Sequence, residues 1–138
     1  MSFVIGVDIV TIAKMIRMWR EHSKRLMDVV FTRSELRLLN VRKDFGGHPR
    51  LTVYQARHLA RTFAAKEATL KTMRLGIMDR FELHDIEVLG RRKLKIRFKG
   101  KLKNYAQSKK LHSLVGTSSY IRDQVIVFVM GEQKHELF

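Results

Sequence analysis

The sequence contains no cysteine, a single proline and no long apolar run. Without cysteine the chain has no disulfides, no catalytic thiolate and no cysteine-ligated zinc. No stretch approaches the roughly 18 consecutive apolar residues that a membrane-spanning helix needs. The apolar residues near the start are not preceded by the basic residues of a secretory signal peptide. We therefore expect a cytoplasmic protein that does not enter a membrane.

Linkers and internal repeats are also missing, which favours one domain over residues 1–138. The length of 138 residues suits a single domain, and the 45% of residues that are hydrophobic are enough for a core. Asp44–Pro49 is the one stretch with the composition of a loop.

Acidic residues are few, since 13 Asp and Glu stand against 28 Lys and Arg for a net charge of +15. A field of that sign attracts nucleic acid, anionic lipid, phosphorylated cofactors and acidic proteins. Charge alone does not choose among these partners.

The residue patterns predict an α+β fold with antiparallel strands toward the C-terminal end. Runs of β-branched and aromatic residues are typical of buried strands, and apolar residues at every third or fourth position are typical of helices. Two capping-box patterns, Thr32 with Glu35 and Thr52 with Gln55, mark helix starts. The predicted elements are a strand over Phe3–Val10, an amphipathic helix from Ile12 to Met27, a short helix after Thr32, a longer helix from Thr52 to about Met73, strands over Leu83–Leu89 and Leu94–Phe98, a helical or turn segment over Asn104–Lys110, and a strand over Val125–Met130.

Asp8 is a carboxylate inside an apolar run, Val4–Val10. Strand alternation places it on the same face as Val4 and Val10. A buried carboxylate is costly unless it is paired, hydrogen-bonded or bound to a metal. An aspartate at the end of a strand also commonly caps the following helix. The residue alone leaves both interpretations open.

Glu67 shares the inward stripe of its predicted helix, because it lies four residues after Phe63 and three before Leu70. Its simplest partner is Lys71, one turn further along the same helix. Such a pair at the edge of the core would need no functional role.

Two inward carboxylates on different elements, Asp8 and Glu67, could instead hold a divalent cation together. Mg²⁺ usually takes one or two carboxylates and completes its shell with water and phosphate oxygens. Lys66 and Lys71 would then suit the phosphates, because lysine binds phosphate as a compact point charge. This arrangement is compatible with phosphoryl transfer, although the spacing alone has low specificity.

Residues 91–110 hold ten lysines and arginines and no acidic residue. They form either a solvated basic face, a docking surface for an acidic partner or a nucleic-acid footprint. Phe98 and Tyr105 are the only aromatic residues there, too few for a platform that stacks single strands. The chain also has no zinc-finger, P-loop or dinucleotide fingerprint. Nucleic acid is therefore the less favoured partner.

Short segments spread over nearly the whole chain resemble the motifs of one family, in the family's order. They are Ile5–Val10 for the first motif, Phe31–Leu36 for the second, Phe63–Ala68 with Lys71 for the signature helix, Asp85–Val88 for the strand that follows, and Arg122–Asp123 with Val125–Met130 for the C-terminal hairpin. The family is holo-[acyl-carrier-protein] synthase, the small type of 4′-phosphopantetheinyl transferase.

The resemblance implies the family's fold, an antiparallel sheet packed with a long helix and shorter helices. It also implies the family's reaction, in which 4′-phosphopantetheine moves from coenzyme A to a serine of an apo-acyl carrier protein and adenosine 3′,5′-bisphosphate leaves. The expected cofactor is Mg²⁺, and the expected assembly is a homotrimer with sites between subunits. Carriers of fatty-acid biosynthesis and of secondary metabolism both fit.

Residue roles carry over from the family by position. Asp8 and Glu67 match the magnesium ligands, and with Lys71 they form the expected catalytic set. The residues expected to bind coenzyme A are Lys66, Lys71, Gly76, Ser119 and Tyr120. The first helix is expected to receive an acidic carrier protein through Lys14, Arg17, Met18, Arg20, Lys24 and Arg25.

The chain departs from the family's pattern around the expected coenzyme A pocket. Tyr120 stands where the family usually has a histidine, and tyrosine cannot become cationic at neutral pH. Thr62 stands where the family has an arginine. Arg61 lies one place earlier, about 100° around the helix. The turn at 74–77 contains fewer glycines than the corresponding turn of the family. The hairpin turn at 90–93 is shorter than the family's.

Two other functions compete with transfer. One is a family member that keeps the fold and binds coenzyme A or a carrier protein without catalysis, which the departures at Tyr120 and Thr62 favour. The other is a basic nucleic-acid-binding domain, which explains the charge but not two inward carboxylates. The presence of Asp8, Glu67 and Lys71 together favours transfer.

Overall fold

An antiparallel sheet and one long helix form the fold in residues 2–41, 50–75 and 81–134, which the computed structural model describes. The elements are β1 (Ser2–Thr11), α1 (Ile12–Arg25) continued by a π-helical turn (Leu26–Val30), α2 (Arg33–Leu38), α3 (Val53–Thr72), a 3₁₀ turn (Leu83–Asp85), β2 (Ile86–Leu89), β3 (Leu94–Phe98), α4 (Gly100–Ser108), β4 (Leu111–Ile121) and β5 (Gln124–Gln133).

The five strands pair in the order β1-β5-β4-β3-β2, all antiparallel. Asp8 on β1 lies opposite Val127 on β5, which lies opposite Ser118 on β4. Directly opposite residues project from the same face of a sheet, so all three share one face. α3 packs on that face, against β1 and β5.

α3 lies close against β1 because Gly6 has no side chain. A Cβ atom at Gly6 would lie 1.9 Å from the carbonyl oxygen of Ala68, far inside contact distance. α3 also carries small side chains on its buried side, since Ala60, Ala64 and Ala68 are all fully buried. The absence of side-chain bulk on both partners therefore sets the separation of helix and strand.

A buried ion pair joins α2 to α3. Lys66 Nζ lies 2.8 Å from Glu35 Oε1, and the side chains are 0% and 2% exposed. Backbone groups complete the pair, since Lys66 donates to the carbonyls of Leu83 and Ile86 and Glu35 accepts from the N–H groups of Thr32 and Val88. Every polar atom of the pair is satisfied, as a buried pair requires.

The face of the sheet opposite α3 exposes apolar side chains. Their solvent-exposed fractions run from 48% to 67% for Phe3, Ile5, Ile9, Phe128 and Met130. A contiguous apolar patch of this kind commonly marks an interaction surface. Within the described ranges no helix has the length and apolar character needed to cross a bilayer.

The predicted α+β class and antiparallel sheet are confirmed, and both capping boxes form as expected. The predicted strand Leu83–Leu89 is wrong over its first three residues, which make the 3₁₀ turn. The predicted helical or turn segment Asn104–Lys110 is α4, which begins earlier, at Gly100. The loop expected over Asp44–Pro49 lies outside the described residues.

β4 was not predicted from residue patterns, and its sequence explains why. It runs through Gly116, Thr117, Ser118 and Ser119, which lack the apolar alternation of a half-buried strand. A bulge between His112 and Val115 also shifts its register. Pairing with β5 on one side and β3 on the other supplies the stability that its composition lacks.

We predict that Gly6→Ala lowers the free energy of unfolding by about 2 kcal/mol or more, because overpacking typically costs 1–3 kcal/mol and here the clash is with backbone. Urea denaturation followed by circular dichroism measures the change. Thr117→Ala, on an exposed position of the same sheet, is the control and should stay within about 0.5 kcal/mol of the parent. Equal stability of Gly6→Ala and the parent would show that α3 does not press on β1.

Candidate active site

The carboxylate of Asp8 lies on the helix-facing side of β1 and forms an ion pair with α3. Lys71 Nζ is 3.0 Å from Asp8 Oδ1 and 2.8 Å from the carbonyl oxygen of Val7. Asp8 does not cap α1, because that position is Thr11, whose side chain accepts from the N–H of Lys14. The capping interpretation of Asp8 is therefore wrong.

Glu67 lies on α3 one turn before Lys71 and is partly buried. Its Oε1 atom is shielded from solvent and has no hydrogen-bond partner among the described residues. Burial raises the pKa of the Glu67 carboxyl, and the nearby Asp8 carboxylate raises it further, against the opposing effects of Lys14 and Lys71. The lysine one turn away bonds Asp8, so the alternative of a simple Glu67–Lys71 pair does not describe this site.

A buried carboxylate oxygen without a donor, near a second carboxylate, is a donor set that suits a divalent cation. Asp8 and Glu67 come from different elements and influence each other electrostatically. The described ranges contain no group of three or more His, Cys, Asp or Glu that could hold a metal alone. A two-carboxylate site is what Mg²⁺ commonly uses when the substrate supplies phosphate oxygens.

Lys66 lies on the opposite side of α3 from this site. Five helix residues correspond to about 500° of rotation, so Lys66 and Lys71 point away from each other by about 140°. The three N–H donors of Lys66 are taken by Glu35, Leu83 and Ile86. This is a correction to the expectation that Lys66 binds coenzyme A, because its ammonium group has no donor left for a phosphate.

A second, cationic cluster surrounds Tyr120 on β4. The guanidinium carbon of Arg57 lies 4.4 Å from the centre of the Tyr120 ring. One turn along α3, Arg61 donates from Nε to Ser118 Oγ at 2.7 Å, and its Nη2 bonds carbonyl oxygens of the β2–β3 turn. Burial and these arginines lower the pKa of His58. The positive charges make this cluster suitable for an anion.

Ser119 and Tyr120 project from opposite faces of β4, as neighbouring strand residues must. Tyr120 faces α3, whereas Ser119 lies opposite Ile126, which lies opposite Ile9 on the exposed apolar face. One chain therefore does not bring these two expected coenzyme A ligands together. Tyr120 is also two strands away from β1, roughly 10 Å across the sheet. Gly76, the remaining expected ligand, lies outside the described residues.

The expected carrier-binding residues share α1, and most of them face solvent. The exposed members are Lys14, Arg17, Arg20, Lys24 and Arg25, while Met18 is partly buried. The same helix buries Met15 and Trp19 in the core. Its amphipathic pattern thus leaves five cations on one solvated surface near the Asp8–Glu67 site.

A cleft of about 570 Å³ opens beside Glu67, between α1, the π-helical turn and α3. Its walls are mostly apolar, with Leu26, Val30 and Phe63 among the buried ones. Neither this cleft nor Arg57 was found from the sequence. The cleft was missed because apolar periodicity indicates only that a residue faces inward. For the cationic cluster, the i,i+4 spacing of Arg57 and Arg61 was the one available signal in the sequence.

Comparison with known proteins identifies the family of the chain. Residues 4–129 match the family described as ACPS, the 4′-phosphopantetheinyl transferase superfamily. A holo-[acyl-carrier-protein] synthase of Geobacter sp. (strain M21) is 34% identical over 100 residues, covering 70% of this chain and 72% of that protein. One of Ehrlichia ruminantium (strain Welgevonden) is 32% identical over 82 residues, 59% of this chain and 61% of that protein.

A solved structure shows the same fold. The holo-[acyl-carrier-protein] synthase of Helicobacter pylori in complex with coenzyme A superposes with a TM-score of 0.72 at 21% identity, covering 93% of this chain and 99% of that one. At this identity the likeness concerns the fold.

Proposed function

This chain belongs to the 4′-phosphopantetheinyl transferase superfamily, and we propose that Asp8 and Glu67 hold the divalent cation that its reaction needs. The reaction is the transfer of 4′-phosphopantetheine from coenzyme A to a serine of an apo-acyl carrier protein. The observation that carries the cation proposal is the buried Glu67 Oε1 atom, which lacks a donor and lies near Asp8.

The proposed cation is Mg²⁺. When bound, it supplies positive charge to the pyrophosphate of coenzyme A during the displacement. Asp8 and Glu67 contribute the two carboxylates, and their mutual repulsion is relieved when a cation lies between them. The serine oxygen of the carrier forms a bond to the β-phosphorus, the bond from that phosphorus to the bridging oxygen breaks, the serine loses its proton, and adenosine 3′,5′-bisphosphate leaves.

Lys71 is the proposed phosphate ligand of this site. Its ammonium group bonds Val7 O and Asp8 Oδ1, which leaves one N–H donor without a described partner. The side chain is 53% exposed, so it can turn toward a phosphate oxygen without leaving a buried charge behind. Asp8 positions Lys71 in the absence of substrate, and Lys71 in turn limits the repulsion between the two carboxylates.

The exposed cations of α1 are the proposed docking surface for an acidic carrier protein. A surface of one charge steers an oppositely charged partner and raises the association rate. Position supports this assignment, because Lys14 of α1 acts electrostatically on Glu67, and Met18 and Arg25 of α1 line the same cleft as Glu67. The basic stretch 91–110 lies on β3 and α4, and β4 and β5 separate β3 from β1 in the sheet.

A homotrimer with sites between subunits is proposed for the assembly. The exposed apolar face of β1 and β5 supports an assembly of subunits, because a contiguous apolar patch of this kind commonly marks an interaction surface. The separation of the expected coenzyme A ligands also supports a site between subunits, since Tyr120 and Ser119 project from opposite faces of the sheet in one chain. A second subunit could present either residue to the nucleotide end of coenzyme A bound at Asp8 and Glu67.

Transfer is tested by the intact mass of an apo-acyl carrier protein incubated with this protein, coenzyme A and Mg²⁺. We expect a gain of one phosphopantetheine, and no gain when EDTA is present. Absence of the gain with fatty-acid and secondary-metabolite carriers alike, with coenzyme A still bound, would identify a binding protein without catalysis.

The cation ligands are tested by Glu67→Gln, which keeps the size of the side chain and removes its charge. We expect the variant to lose at least about a hundredfold in transfer rate, because the cation that would neutralise charge on the reacting phosphates loses one of its two proposed carboxylate ligands. Thermal unfolding with and without Mg²⁺ gives a readout besides activity: the parent should gain stability from Mg²⁺ and the variant should not. Glu132→Gln, at an exposed position of β5 opposite Phe3 and away from Asp8, is the matched control. A variant that gains as much from Mg²⁺ as the parent would remove Glu67 from the cation site.

The docking surface is tested by Arg17→Glu, with Lys103→Glu on α4 as a control that changes the net charge equally. We expect Arg17→Glu to raise the KM for the carrier about tenfold or more and to leave the KM for coenzyme A nearly unchanged. Lys103→Glu should change both by less than about threefold. Equal effects of the two variants would mean that only the overall field matters.

The assembly is tested by light scattering of the parent and of Ile5→Lys, which places a charge in the exposed apolar face. We expect three times the chain mass for the parent and a smaller species for the variant, since an unpaired buried charge destabilises an interface. A parent that scatters as a single chain would overturn the trimer.

A further inference from the structure

Another pocket lies at the C-terminal ends of α3 and α4, where it is closed by the first residues of β1, the start of β4 and the end of β5. Its volume is about 620 Å³. None of its lining residues borders the cleft beside Glu67, and neither Asp8 nor Tyr120 lines it. We propose that this α3–α4 pocket binds a small phosphorylated molecule through Arg74 and Lys109.

The charge of the α3–α4 pocket favours an anion. Its two charged lining residues, Arg74 and Lys109, are both cationic and exposed. In the part of the chain that the structure describes, neither side chain forms an ion pair with a carboxylate. Each of the two helix ends contributes about half a negative charge, so two positive charges face about one negative charge. The excess positive charge attracts a phosphorylated ligand.

Two contacts hold Lys109 at the pocket before a ligand binds. Its Nζ atom lies 5.6 Å from the centre of the Tyr105 ring, within the distance of a cation–π contact. Gln133 Nε2 donates to the carbonyl oxygen of Lys109 at 3.0 Å and thereby ties the end of α4 to β5. The Tyr105 ring packs in turn on Phe81, with ring centres 5.1 Å apart. Because the cation is already positioned, less conformational freedom is lost when an anion binds.

The backbone of Arg74 lies in the left-handed region, with a φ of 57°. Arg74 donates its N–H to the carbonyl of Lys71, and Leu75 donates to that of Leu70, which is the pattern of a Schellman helix end. Glycine is the usual residue at this position, because a Cβ atom makes the left-handed conformation unfavourable. The arginine therefore costs stability where it stands, and this cost indicates a use for its side chain in the pocket that it lines.

The volume and lining of the pocket define the class of ligand. About 620 Å³ falls within the roughly 300–1,000 Å³ of pockets that enclose small organic molecules. Besides the two cations, the lining includes the polar residues Ser2, Tyr105 and Gln133. These features suit a phosphate ester with a polar body, such as a sugar phosphate. Inorganic pyrophosphate shares the same anionic chemistry and is the other source of such a ligand.

The site is tested by calorimetric titration of the full chain with inorganic phosphate, pyrophosphate and ribose 5-phosphate. EDTA is present, so that no Mg²⁺ carries these anions to Asp8 and Glu67. We expect ribose 5-phosphate to bind more tightly than either inorganic anion. Tighter binding of pyrophosphate would support the site with an inorganic ligand. No binding of any of the three would overturn the inference.

Arg74→Gly and Lys109→Ser each remove one cation from the pocket. Each variant should bind the anion at least about tenfold more weakly, because a hydrogen bond between charged groups is lost. Lys103→Ser on α4 is the matched control, since it removes the same charge from an exposed position outside the pocket. It should change the affinity by less than about threefold. Equal losses in all three variants would mean that only the net charge attracts the anion, and the inference would be wrong.

Thermal unfolding of Arg74→Gly without ligand separates a binding role from a structural one. We expect the variant to unfold at or above the temperature of the parent, since glycine relieves the left-handed strain. A less stable variant that still binds the anion with the affinity of the parent would mean that Arg74 only stabilises the end of α3. That result would overturn the inference.

Two further variants locate the bound anion. If Arg57→Ser or Lys71→Ser lowers the affinity tenfold while Arg74→Gly does not, the anion lies in the cationic cluster or at the reaction site, and the inference is wrong. Normal phosphopantetheine transfer without anion binding at the α3–α4 pocket overturns the inference alone. Loss of transfer with intact anion binding overturns only the proposed function.

Discussion

The close contact of α3 with β1 at Gly6 is the constraint on which the site depends. Helix and strand meet where neither has a side chain in the way, since the carbonyl of Ala68 occupies the space of a Cβ at Gly6. Two residues beyond Gly6 the strand carries Asp8, and one residue before Ala68 the helix carries Glu67. The packing that fixes the helix on the sheet thus also brings two like charges together, at a cost that a bound cation would offset.

Two lysines of α3 differ in their roles because the helix places them on different faces. All three N–H donors of Lys66 bond groups inside the protein. Its ion pair with Glu35 links α3 to α2, and its hydrogen bonds to the carbonyls of Leu83 and Ile86 link α3 to the start of β2. Lys71, five residues later, remains half exposed and bonds Asp8. Removing one partner of the buried pair would leave an uncompensated charge, which typically costs about 3–5 kcal/mol. Lys66, which was expected to bind coenzyme A together with Lys71, is therefore a structural residue.

Charge is divided unevenly over a molecule of net charge +15. The carboxylates of Asp8 and Glu67 form a small anionic site, and Lys14 of α1 acts on it electrostatically. The apolar surfaces have different locations. One is the cleft beside Glu67, and the other is the open face of the sheet formed by β1 and β5.

The sequence by itself determined the fold class, the capped helices and the inward position of Asp8 and Glu67, because these follow from local periodicity and capping chemistry. The tertiary structure alone decided which lysine faces the carboxylates, that Thr11 rather than Asp8 caps α1, and that a polar segment becomes β4. Periodicity assigns a residue to a face but not to a partner. Partners depend on how elements pack, and that packing is set by contacts between residues far apart in the chain.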